Sequence, residues 1–104
     1  MSADTAAVRV TLPHHLRMLS GADAEVTLDV TPPISVASVL DALEARYPML
    51  RGTVREHVSG ERRAKVRFFA ARADVTHLPL DTELPETVAN GEEPLMIIAA
   101  ISGG

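Results

Sequence analysis

The chain contains no cysteine. That excludes a disulfide framework, a thiolate nucleophile and any zinc or iron–sulfur site built from Cys on this chain. Any sulfur the protein handles must ride on another group. Lys65 is the only lysine, so isopeptide chains grown on the protein itself have only Lys65 or the N-terminus as acceptors. No apolar run approaches the roughly 20 residues needed to span a bilayer. The opening Met1-Ser2-Ala3-Asp4-Thr5 lacks the basic stretch and apolar core of a secretory leader. The expected address is therefore the cytoplasm, with no membrane partner. Phosphate-binding loops and Ser-His-Asp signatures are missing as well, and no enzyme active site is expected. His14-His15, His57 and His77 have no acidic ligand at a useful spacing, so no metal site is expected. Asp81, Glu83 and Glu86 sit in a polar stretch interrupted by proline and read as solvated carboxylates.

At 104 residues the chain is sized for one domain, 1–104, because a second would have almost nothing to bury. Hydrophobic residues make up 46% and charged residues 23%, enough apolar surface to offset the entropy of ordering the chain. The net charge of −4 argues against general nucleic-acid binding, which needs a basic face to displace counterions from phosphates. The charge is unevenly spread. Arg51, Arg55, Arg62, Arg63, Lys65, Arg67 and Arg72 face only Glu56 and Glu61 within their stretch, and no Lys or Arg follows Arg72. A two-sided electrostatic surface is expected, its basic part either solvated or a protein-docking patch.

Periodicity separates the elements. Ala7-Val8-Arg9-Val10-Thr11-Leu12 and Glu25-Val26-Thr27-Leu28-Asp29-Val30 alternate apolar and polar, the pattern of half-buried strands. Pro13 ends the first and Thr31-Pro32-Pro33 the second. Between them His14 to Leu19 is expected to form a wide loop or one helical turn, with Leu16 and Leu19 inward. From Ser35 the period lengthens: Val36, Val39, Leu40, Leu43 and Tyr47 share a helical face. Ser35 is the N-cap, and Pro48 should stop the helix near Arg46. Met49 to Val58 reads as a second short helix with Leu50, Val54 and Val58 inward. Lys65-Val66-Arg67-Phe68-Phe69-Ala70 is a third strand. Asp74 to Glu93 is loop-rich, and Asn90-Gly91 signals a turn. Leu95 to Ile101 is continuously apolar, which predicts a central strand covered on both faces. The result is an α+β domain, a mixed sheet packed on one main helix.

The chain then ends Ser102-Gly103-Gly104, an exposed tail over 102–104. Glycines lack side chains that would clash in a narrow channel, so a folded body could insert this end into another protein's active site. A carboxylate is a poor electrophile and needs activation, normally as an acyl-adenylate made from ATP. A sulfur donor attacking that adenylate leaves a thiocarboxylate, whose soft anionic sulfur is the better nucleophile.

On Val8-Arg9-Val10-Thr11-Leu12, Leu16-Arg17-Met18-Leu19-Ser20-Gly21, the helix from Val36 to Tyr47-Pro48 and Ile101-Ser102-Gly103-Gly104, the sequence resembles the MoaD/ThiS family of sulfur carriers. The resemblance implies a ubiquitin-like β-grasp fold, with first and last strands paired in parallel. It also implies adenylation of Gly104 by a ubiquitin-activating-type adenylyltransferase that uses ATP and magnesium, then thiocarboxylation. Gly103 and Ser102 would give access, and sulfur would pass to an acceptor synthase subunit. No cofactor would be bound by the chain itself. Ile98 takes the position of the family's docking residue, and Ile101 joins it as an interface candidate. Molybdopterin synthesis leads as the implied pathway, ahead of thiamine, cysteine or secondary-metabolite sulfur insertion. A protein modifier or a non-covalent β-grasp adaptor is the reading from another class. Two departures stand out: Ile97-Ile98-Ala99-Ala100 replaces the usual aromatics and prolines, and a longer Ala71 to Glu93 segment replaces a short Asn-Gly hairpin.

Overall fold

A computed structural model describes residues 4–99. Strand β1 (Ala6–Thr11) buries Val8 and Val10 and ends where Pro13 opens α1 (His14–Ser20). That helix is longer than one turn. Its C-cap is Gly21 at φ 74°, a left-handed conformation glycine adopts without steric cost, with its amide donating to the Arg17 carbonyl at 2.8 Å. Leu16 is buried as expected, but Leu19 is 52% exposed. Leu19 stands about 60° around the helix from Leu16, at the edge of the buried side, and this short helix buries only Leu16 fully.

Strand β2 (Glu25–Val30) pairs antiparallel with β1, Val10 opposite Val26 and Val8 opposite Leu28. Helix α2 (Val36–Arg46) then crosses the sheet, burying Val36, Val39, Leu40 and Leu43. Its first turn is closed by a reciprocal pair: the Ser38 amide donates to Ser35 Oγ at 3.1 Å and the Ser35 amide to Ser38 Oγ at 2.8 Å. Beyond Pro48 the expected second helix does not form. A single 3-10 turn (Pro48–Leu50) gives way at Arg51, whose ψ of 131° is extended, and at Gly52, whose φ is +83°. Leu50 and Val54 still reach the core, whereas Val58 is 95% exposed on a small hairpin in which Glu56 donates its amide to Glu61 (2.7 Å) and Arg55 bridges to Arg62.

Strand β3 (Val66–Ala70) turns into the two-residue β4 (Ala73–Asp74) through Ala71 and Arg72, at φ 50° and 66°. Positive φ at both central residues is the type I′ hairpin geometry, for which Asn-Gly is the preferred pair. The tight hairpin is therefore present although the residues that signal it are not. Ala71→Asn with Arg72→Gly removes two strained side-chain positions, and urea denaturation should find the variant about 1 kcal/mol more stable; unchanged or lower stability would show that the turn carries no strain. Next to it, the buried Thr76 hydroxyl accepts the Phe68 amide at 2.9 Å, doing the work of a longer β4. Asp74 accepts the Thr76 amide at 2.9 Å, and the Thr76 hydroxyl and amide hold its carboxyl below the usual range.

The remainder of the long segment is a strap. It crosses the start of α2, where Leu80 takes the Ala37 amide (2.9 Å) and Leu84 donates to Ile34 (2.8 Å), so an otherwise unpaired first-turn amide is satisfied. Helix α3 (Glu86–Ala89) buries Val88, and Gly91 at φ +86° lies so close to β1 that a Cβ would stand 2.9 Å from the Ala7 carbonyl oxygen. Strand β5 (Leu95–Ala99) follows. The sheet order is β2-β1-β5-β3-β4, with β5 parallel to β1 and antiparallel to β3. β5 is thus central, as its apolar run predicted, but it is not covered on both faces. α2 and the core lie on one side only: Leu95 and Ile97 are buried while Met96 is 41% and Ile98 38% exposed. The apolar run reflects a strand with one open apolar face.

Candidate docking face and tail exit

The register of β5 decides which side chains join Ile98 on the open face. Ile98 stands opposite Arg67 and Met96 opposite Phe69 on β3, while Thr11 of β1 flanks Met96 on the other side. Met96, Ile98 and the partly exposed Phe69 therefore form an apolar strip at the middle of the sheet, with Arg67 beside it. On the β1 side Arg9 bounds the strip. Its guanidinium meets Glu25 in a two-pronged contact at 3.0 Å and donates to the Gly91 and Glu92 carbonyls at 3.2 and 2.9 Å. The Arg9 hydrogen bond holds the Glu25 carboxyl below its usual range, and Glu25 raises Arg9 in return. A half-buried apolar strip with a fixed polar rim has the composition of a protein-docking surface.

Of the interface candidates read from sequence, Ile98 lies on this strip. Ile101, Ser102, Gly103 and Gly104 lie outside the described residues. Ala99, opposite Val66 on β3, is the last described residue before them. At the same end a groove of about 570 Å³ opens, lined by Pro13, His14, Thr53, Arg63, Lys65 and Ala99 among others. Met96, Phe69 and the groove were not singled out in sequence; the two apolar residues were hidden because a continuous apolar run conceals which positions alternate outward.

The basic stretch is partly consumed within the fold. Arg55 bridges Asp41 at 2.6 Å and Glu44 at 3.0 Å, tying the hairpin to α2. Burial opposes the Arg55 charge, but these two carboxylates outweigh it and its pKa is raised. Arg62 donates to the Arg63, Ala64 and Val66 carbonyls, and Arg63 Nε to the Gly52 carbonyl at 2.9 Å. Among the described residues no group of three or more His, Asp or Glu side chains is arranged to hold a metal ion, and no helix is long and apolar enough to cross a membrane.

No protein-family model matches the chain, and no curated protein matches it by sequence. Solved structures do match in shape. The small archaeal modifier protein 1 (SAMP1) of Methanosarcina acetivorans matches with a TM-score of 0.73 and 22% identity, covering 98% of this chain and 100% of that one. A chain of the Amycolatopsis orientalis BexX/CysO complex matches at 0.73 and 21%, covering 94% and 100%. Mycobacterium tuberculosis CysO matches at 0.70 and 22%, covering 90% and 99%. The chain has the ubiquitin-like β-grasp fold. In this fold the parallel β1–β5 pair, at Leu95 and Met96, places β5 at the centre of the sheet, and β3 pairs it as far as Ala99.

Proposed function

We propose that the chain is a sulfur carrier protein whose working group is the Gly104 carboxylate. The observation that carries this reading is the junction at Ala99: a central strand, paired with β1 at Leu95 and Met96 and with β3 from Met96 to Ala99, is followed in sequence by Ala100 and then Ile101-Ser102-Gly103-Gly104. Such a base holds the body in register while the glycines add no side chain to obstruct a channel. The carboxylate attacks the α-phosphorus of ATP bound with magnesium on a ubiquitin-activating-type adenylyltransferase, and pyrophosphate leaves. A sulfur nucleophile then attacks the acyl-adenylate carbon and AMP departs, leaving the thiocarboxylate. This chain supplies no catalytic base and binds no cofactor in that sequence. Its part is to dock and to present the end, with Met96 and Ile98 as the anchor and Ser102 and Gly103 as the slim approach.

The sulfur acceptor is, in this reading, a biosynthetic synthase subunit, with molybdopterin synthesis leading and thiamine, cysteine or secondary-metabolite synthesis next. Ile97-Ile98-Ala99-Ala100 in place of the aromatics and prolines of molybdopterin-type carriers favours giving the second group real weight. The BexX/CysO complex among the structural neighbours supports a partner protein that docks on this fold. The modifier named in another neighbour supports a second reading, attachment of Gly104 to a lysine of another protein. The same activated end serves both.

Intact mass spectrometry distinguishes them. After incubation with ATP, magnesium, a sulfur source and candidate activating enzymes, the chain should gain the mass of one oxygen exchanged for sulfur, and a Gly104-deleted control should not. Conjugates without thiocarboxylate would support the modifier reading. Neither product from any candidate would leave a non-covalent adaptor.

A further inference from the structure

A second cavity lies between the strap and the start of α2, at the end of the sheet away from Ala99. Strand β2 ends at Val30 opposite Ala6, where β1 begins, and the chain enters α2 from there; β5 runs past the other end of β1, from Met96 beside Thr11 on to Ala99. The cavity has a volume of about 350 Å³ and is lined by Val36 of α2 and by Val75, Leu78, Pro79, Leu84 and Pro85, with Thr82 and Glu83 on its polar side. Main-chain bonds fix its walls. Besides the bonds of Leu80 and Leu84 to the start of α2, the Leu78 amide donates to the Val75 carbonyl at 3.2 Å and the Thr82 amide to the Pro79 carbonyl at 3.0 Å. Leu78 nevertheless stands half exposed, so a pre-formed wall leaves apolar surface facing water. The rim is acidic: Asp81, Glu83 and Glu86 form no ion pair among the described residues, and no Lys or Arg follows Arg72 in the sequence.

We propose that this cavity takes one aliphatic side chain of a partner protein, carried on a segment with basic residues on either side of it to meet Asp81, Glu83 and Glu86. Size and charge together select that occupant. Sites for free ligands run from about 300 to 1,000 Å³, so the cavity stands at the small end and fits a side chain better than a cofactor. Three uncompensated carboxylates repel an anionic lipid surface and a nucleic-acid backbone alike, whereas they complement Lys and Arg. Pro79 and Pro85 fix their own φ angles, so the wall pays little ordering cost on binding. A second copy of this chain is a poor fit through the exposed Val58, because Glu56 and Glu61 accompany it on the same hairpin. The cavity lies on the helix side of the sheet, opposite the strip of Met96 and Ile98, so the two surfaces are open to partners at the same time. The inference goes beyond the carrier reading and stands whether or not Gly104 is the working end.

Amide NMR titration of the full chain with three acetylated, amidated peptides tests it: a leucine between pairs of arginines, the same peptide with serine in place of leucine, and a leucine between pairs of glutamates. The arginine–leucine peptide should shift the amides of Val36, Val75, Leu78 and Leu84 and leave those of Met96 and Ile98 in place. Because burial of one leucine is what separates the first two probes, the serine peptide should bind about tenfold more weakly or worse. The glutamate peptide should give no shifts. Asp81→Lys with Glu83→Lys, both at exposed side chains, should weaken the arginine–leucine peptide by about tenfold or more; if that variant does not fold, Glu83→Gln alone should weaken it about threefold. Equal binding of the leucine and serine peptides would reduce the effect to charge attraction and overturn the proposal, as would shifts centred on the Met96 and Ile98 strip or no shifts at all. Sedimentation showing that the chain self-associates and that Leu78→Asp makes it a monomer would also overturn it, because a second copy would then fill the cavity.

Discussion

On the proposed carrier reading, Ile98→Asp should weaken capture of the chain by an activating enzyme by about thirtyfold or more. Fully burying an isoleucine contributes about 1.5–3 kcal/mol, and docking can bury only the exposed part of Ile98, so its share is about 1 kcal/mol or less. The variant also places a carboxylate in the patch that a partner must desolvate, which adds to the loss. A total of about 2–4 kcal/mol corresponds to roughly thirtyfold to several hundredfold in KM at unchanged kcat. The side chain is only 38% exposed in the free protein, so the variant should also melt somewhat lower, by about 5–10 °C, while remaining folded at 25 °C. Adenylation kinetics measured beside a thermal melt separate the outcomes: unchanged KM in a folded variant removes Ile98 from the interface. Met96→Asp is expected to act in the same direction, because it shares the strip through the Phe69 register.

The largest stability loss is expected at Phe68. Its ring is fully buried on β3, opposite Ile97 and between Val66 and Ala70 on the inner face. The chain's only other aromatics are Phe69, on the open face of the sheet, and the partly buried Tyr47, so little bulk is at hand to fill the space. Phe68→Ala should cost about 3–5 kcal/mol through lost transfer energy and a residual cavity. That is a large share of the roughly 5–15 kcal/mol that holds a domain folded, equivalent to a fall of about 15–30 °C in Tm. Urea denaturation at 25 °C gives the difference, and a loss below about 1 kcal/mol would show that the core collapses around the site.

What was legible in the sequence was set by local chemistry. The Ser35 cap, the α2 stripe and the stop at Pro48 are written within a few residues of where they act, and each stands where expected. The alternation in β1 and β2 named their inner faces correctly. The errors arose where a distant contact decides. Val58 fits a helical stripe, but Gly52 breaks the helix first. Leu19 is apolar without a surface to meet. In β5 the composition reports burial of the strand's backbone among neighbours, not burial of its second face, and only the register with Phe69 and Arg67 reveals the open strip. The hairpin at Ala71-Arg72 has no turn signature, because Thr76 and the β3 ladder hold it closed from outside the turn. The strap over α2 depends on single backbone bonds to Ala37 and Ile34 that no sequence period announces.

The parallel contact between β1 and β5 also determines how the molecule bears load. β1 lies near the start of the chain and β5 near its end, side by side and running the same way. Tension applied between a tail gripped in another protein's channel and the N-terminal end acts along both strands at once. Hydrogen bonds across such a pair are sheared together instead of being unzipped one by one. In the proposed carrier role, rounds of docking and release by the tail would load the fold in shear along this pair.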